Sequence, residues 1–185
     1  MSYYTVRGII TRSFPILLFT TVIGIFSGQI LNLEIEKLVS MPIILVLIPA
    51  LIKIGGDTGS MLGARLSSSF HMGLGSHLHR NPVVRNSVIA ALIVGLSACT
   101  FVGIIVWILG NVLGMGIPFT KIMALCLIAG SFELLVVFSA TIAIAFASHR
   151  FGLDPDDTVI PLIATLGDLI GVIGIFVTMH ILNLT

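Results

Sequence analysis

Four charged side chains, Lys53, Asp57, Glu133 and Asp168, fall inside or at the breaks of long apolar runs. Two of them sit among glycines, as Gly55-Gly56-Asp57-Thr58-Gly59 and Gly167-Asp168-Leu169-Ile170-Gly171. A carboxylate at the centre of a bilayer costs about 2.5–3.5 kcal/mol on insertion scales, so an acid retained there is a functional candidate by default. Asp168 lies well inside the last apolar run, beside Thr165 and Gly167, at a depth near the middle of a membrane. An unpaired carboxylate at that depth must bind a proton, pair with a cation or line water. The bland alternative is a protonated structural acid hydrogen-bonded to a neighbouring helix. Asp57 is expected where its helix breaks, so that carbonyls from Lys53 to Gly56 join its carboxylate in the all-oxygen surroundings that hard divalent cations prefer. The competing reading makes the same turn a cap for a half-helix starting at Thr58.

Lys53 stands one helical turn from Asp57, close enough for an ion pair that lowers the burial cost, or for snorkelling of the ammonium to the interface. Glu133 fits an auxiliary acid of the same pathway and equally a structural partner for an Arg or Lys on another helix. His71, His77 and His79 cluster in a Gly- and Ser-rich connection without Cys or carboxylate companions. They read as a solvated loop near headgroups rather than a transition-metal site. Tyr3, Tyr4 and Trp107 read as interfacial anchors. Cys99 and Cys126 lie in separate apolar runs without CxxC spacing and read as core packing.

The elements that must hold these side chains are membrane helices. Of the 185 residues, 57% are hydrophobic and 9% charged, with a mean hydropathy of +1.17, whereas a soluble domain carries about 25% charged residues. The fold class is therefore an all-α membrane protein with five transmembrane helices: Phe14 to Leu31, Met41 to Phe70, Ser87 to Leu109, Thr120 to Ala147 and Thr158 to Leu182. The first run follows Arg7 and Arg12 but is too long for a signal peptide and lacks a small-residue cleavage site, so it reads as a retained span. An acidic turn, Asn32 to Lys37, separates it from the second. The second run contains Pro42, Pro49 and the glycine cluster. Interior Gly costs about 1 kcal/mol and Pro about 3, so this helix is expected to be kinked or broken at the Gly-rich motif. The last run follows the acidic loop Asp154-Pro155-Asp156-Asp157, and Pro155 and Pro161 suit the start of its helix.

Arg7, Arg12, Arg65, Arg80, Arg85 and Arg150 fall on one side of these spans and only Lys37 and Lys121 on the other. That bias puts the amino terminus inside, in a multi-pass protein of the plasma (cytoplasmic) membrane. A net charge of +1 without a basic stripe gives no reason to invoke nucleic acid. Small residues four apart, Gly24/Gly28, Gly59/Gly63, Gly110/Gly114 and Gly167/Gly171, mark packing faces. With no phosphate-binding Gly-rich signature, linker or low-complexity segment, residues 1–185 read as a single membrane domain without a soluble regulatory domain.

The stretch from Pro49 through Lys53-Ile54-Gly55-Gly56-Asp57-Thr58-Gly59 to Arg65-Leu66-Ser67 resembles the signature of the MgtE family of magnesium channels and transporters, including its eukaryotic solute-carrier relatives. A second segment, Ile160-Pro161-Leu162-Ile163-Ala164-Thr165-Leu166-Gly167-Asp168-Leu169-Ile170-Gly171, is similar to that family's last-helix motif. The resemblance implies a five-helix membrane domain that dimerises around a pore, as a homodimer or with a related half, and Mg²⁺ as the transported ion, with no cofactor. It carries the family's pore acid over to Asp168 and its second-helix polar residue over to Asp57, where many members have Asn. The ion-contacting set expected on this reading is Asp168, Asp57, Gly56, Ala164, Thr165 and Glu133. Because Mg²⁺ dehydrates reluctantly, carboxylates and carbonyls would hold it largely through its water shell.

The expectation is a divalent cation transporter and not an enzyme. The alternatives are a proton-coupled carrier or structural membrane subunit, with Asp57 and Asp168 as a relay, and an intramembrane aspartyl protease. The last fits poorly, since position 165 is Thr where that signature has Gly and no Tyr-Asp partner motif exists.

Overall fold

The computed structural model describes residues 5–73, 82–115, 117–151 and 155–184, apart from the side chains of Arg12 and of residues 155–157. Tyr3, Tyr4, His77, His79, Arg80 and Asp154 lie outside the described residues. The chain forms α1 (Val6–Leu33), α2 (Ile35–Ser40), α3 (Pro42–His71), α4 (Pro82–Val112), α5 (Phe119–Arg150) and α6 (Pro155–Ile181). All but α2 are long and apolar enough to cross a membrane, which gives the five expected spans. In hydrocarbon only a helix or a closed barrel satisfies every backbone polar group within the structure, and the apolar runs here are of helical length.

The ends follow local chemistry. Thr5 caps α1, its hydroxyl oxygen accepting from the Gly8 N–H at 3.2 Å. The expected acidic turn is in part the short helix α2, at whose start Glu34 and Lys37 pair at 2.7 Å. Gly114, with φ of +70°, ends the turn after α4, a conformation that suits glycine.

α3 occupies the centre and packs against α4, α5 and α6, whereas α1 packs against α6. The register is read from the glycines. A Cβ on Gly59 would meet Val137 and Ile163, and one on Gly63 would meet Val159. Contacts thus ascend α5 and descend α6 as α3 is followed, so α5 runs parallel to α3 and α6 antiparallel. Gly95 against Leu134 and Gly103 against Cys126 set α4 antiparallel to α5.

Two apolar clusters fill the bundle. One gathers Ile43, Leu47, Leu51, Cys99, Leu125, Cys126, Ile175 and Met179 towards one end. The other gathers Leu62, Leu66, Phe70, Leu134, Val137, Phe138, Val159 and Ile163 towards the opposite end. Both cysteines are free and buried, in agreement with core packing. Between the clusters lies the level of Gly55, Gly56, Gly167 and Asp168.

α3 departs from expectation in one respect. Its helical structure continues without interruption from Pro42 to His71, so of the kink or break expected at the Gly-rich motif the break is absent. The half-helix cap and the freed carbonyls from Lys53 to Gly56 that depended on it are absent too. Intrinsic propensity is outweighed by packing, because each glycine here is where a neighbouring helix comes closest. In lipid, moreover, a freed carbonyl has no water to turn to. Thr58 instead donates to the Ile54 carbonyl of its own helix at 2.6 Å.

Within one copy, and among the described residues, only some of the small-residue pairs meet a neighbouring helix. Gly59/Gly63 and Gly167/Gly171 do. Gly24 and Gly28 have nothing within 4 Å of a Cβ, and Gly114 lies beyond its helix.

Candidate functional site at the crossing of α3 and α6

Asp57 stands at the midpoint of α3 and Asp168 at the midpoint of α6. The two helices cross there, backbone against backbone. A Cβ on Gly167 would stand 2.5 Å from both Cα and N of Gly56, and a Cβ on Gly56 would stand 3.0 Å from the Ala164 carbonyl oxygen. Gly171 opposes Ile52 in the same way, with 2.9 Å to its Cα. A side chain at Gly167 or Gly171 would push the helices apart, and one at Gly56 would need the α6 backbone to give way. Each acid is the next residue after a glycine of the crossing, so the contact itself brings Asp57 and Asp168 to one level.

Lys53 lies a turn before Asp57, and its Nζ is 3.1 Å from Asp57 Oδ1. Both side chains point away from the bundle interior, with 61% and 58% exposure. Asp168 is half-buried beside them, within electrostatic reach of both Lys53 and Asp57. On the same side Ser60 donates to the Ile160 carbonyl at 3.4 Å. The outward flank of the crossing is therefore polar: an ammonium, two carboxylates and a hydroxyl, in the middle of two membrane-spanning helices.

Glu133 is placed differently. It is 1% exposed, deep in α5, and its carboxyl group fills the space left by the missing side chain of Gly55. Its Oε1 has no hydrogen-bonding partner among the described residues, and no Arg or Lys pairs with it there. It lies within electrostatic reach of Asp168 but on the inward side of α3. The crossing thus separates Glu133 from the Lys53–Asp57 face.

The remaining expected site residues are mixed. Gly56 is buried and Ala164 half-buried, and both belong to the helix contact. Thr165 returns its hydroxyl to the Pro161 carbonyl at 3.0 Å. His71 is at the end of α3, its Nδ1 3.0 Å from the Ser67 carbonyl. Trp107, near the end of α4, meets Phe119 edge-on at 5.2 Å. Among the described residues no group of three or more His, Cys, Asp or Glu side chains converges on one point. Within one copy of the chain, then, the described acids do not form a closed cage.

One contributor was not singled out from the sequence. Ser27 of α1 donates to the backbone carbonyl of Asp168 at 3.5 Å. Ser27 and Thr20 are the buried polar residues of α1, seven apart and hence on one face of the helix. That spacing was the available signal, obscured by the apolar residues around it.

Comparison with known proteins bears on what such a face is for. Residues 48–178, most of the chain and including the whole α3–α6 crossing, match the family model MgtE, described as a divalent cation transporter. Among curated proteins and among solved structures no match to the chain is found.

Proposed function

The chain belongs to the MgtE family of divalent cation transporters, and we propose that it carries Mg²⁺ through a pore formed between two five-helix domains, with Asp168 as the ion-contacting acid. The observation that carries this reading is the exposed ion pair at mid-helix. Lys53 and Asp57 are each more than half exposed at the centre of a span, and ionised groups at that depth do not face lipid tails. The α3–α6 flank therefore meets water, another polypeptide, or both. A second copy of the chain set against this flank encloses a polar path and brings a second Asp168 to it.

The chemistry of the flank suits a hard dication. Carboxylate oxygens of Asp168 and Asp57 attract it, while a surrounding water shell spares Mg²⁺ most of its dehydration. The open arrangement of the acids in one copy supports a hydrated ion held between copies over a fully ligated one. The arginine bias among the span ends supports an amino terminus on the cytoplasmic side.

The test is Mg²⁺ uptake into proteoliposomes, followed with an internal Mg²⁺ indicator. Asp168→Ala is expected to cut the initial rate by at least about tenfold, since it removes the carboxylate that is the path's main attraction for the ion. Equal rates for wild type and variant would defeat the assignment of Asp168.

A further inference from the structure

Lys53 places a fixed positive charge beside the acids of a cation path. It sits at the level of the acids that would attract the ion, and its ammonium already occupies Asp57 Oδ1 at 3.1 Å. α3 is unbroken between the two residues, so the four-residue spacing fixes their partnership on one helix face. The charge of Lys53 also reaches Asp168. One ammonium is thus paired with Asp57 and within electrostatic reach of Asp168 on the outward flank.

We propose that, granted the pore reading above, Lys53 is a tethered counter-cation that competes with the transported dication for Asp57 and thereby sets the affinity of the site. An ammonium and a dication cannot both lie on one carboxylate oxygen, because like charges at contact repel strongly where water is scarce. Admission of the ion requires Lys53 to swing away, which its flexible four-carbon stem allows. A dication, with twice the charge, displaces the ammonium, whereas a monovalent cation gains no more from Asp57 than Lys53 does. The pairing of Lys53 with Asp57 then withholds that carboxylate from monovalent ions and yields it to divalent ones.

The experiment is a Mn²⁺ binding isotherm on the purified full chain in detergent, reading free Mn²⁺ by its electron paramagnetic resonance signal. Lys53→Met, which keeps the length of the side chain without its charge, is expected to lower the Mn²⁺ Kd about three- to tenfold. Lys53→Arg, which keeps the charge, should stay within about twofold of wild type. In an Asp57→Asn background the competition has no object, so Lys53→Met should change the Kd by less than about twofold. An unchanged or raised Kd in Lys53→Met overturns the proposal. An equal gain with and without Asp57 also overturns it, because that marks a general field effect. Failure of the pore reading shows separately, as Mg²⁺ flux that survives Asp168→Ala, whatever the isotherms give.

Discussion

Asp168 and Glu133 are both acids in apolar helices, and their surroundings differ. Asp168 is half-buried on the outward flank beside Lys53 and Asp57. Glu133 is sealed at 1% exposure in the slot beside Gly55. The sequence put Asp168 first and left Glu133 open between auxiliary acid and structural partner, because what holds Glu133 is Gly55 on another helix, 78 residues away in the chain. Glu133→Gln keeps the shape that fills the slot, so Mg²⁺ uptake is expected to stay within about twofold of wild type. Glu133→Ala empties the slot and is expected to cost about 1–3 kcal/mol, seen as a lower midpoint of thermal unfolding in detergent. Uptake abolished by Gln at unchanged thermal stability would put Glu133 in the ion path instead. At Asp57 the expected outcome is retained transport with altered preference: Asp57→Asn should conduct Mg²⁺ but change the Mg²⁺/Mn²⁺ ratio in a competition assay. Complete loss of flux would make Asp57 indispensable.

The helices were legible in the sequence to the extent that hydropathy decides them. Five apolar runs became five spans: α1, α4 and α5 extend about a turn or more beyond their runs, whereas α3 and α6 stay within three residues of theirs at either end. The continuity of α3 was not legible. Pro49 and the glycines between residues 55 and 63 argue locally for a break, yet those glycines mark where α5 and α6 press against α3. Propensity is a property of the isolated segment, and here tertiary contact overrides it. The consequence can be tested at Gly167. An added methyl would meet the Gly56 backbone at 2.5 Å, and backbone cannot rotate aside as a side chain can. Gly167→Ala is therefore expected to destabilise the bundle by about 1–3 kcal/mol through overpacking and to lower uptake, since it shifts Asp168 away from α3. The contrast is Gly24→Ala on α1, where nothing lies within 4 Å, and where both stability and uptake should be unchanged.

At the scale of the molecule, exposure is distributed in a way that one copy in lipid does not account for. α4 is largely exposed and its outward residues, such as Ile93 and Phe101, are apolar, as lipid contact requires. The outward face of α3 is apolar at Val46 but charged at Lys53 and Asp57, with Ala64 and Ser68 following on the same side. A face of that kind suits another copy across a hydrated path better than hydrocarbon. The two native thiols are buried, so an introduced cysteine can report proximity with little background. Ala64→Cys, two turns from Asp57 on the outward face, is expected to cross-link to its equivalent with a short bifunctional thiol reagent in native membranes. Phe101→Cys on α4, 62% exposed, is expected to remain monomeric on the same gel. The reverse pattern would place α4 at the subunit contact and leave the α3–α6 flank facing something other than a second copy of itself.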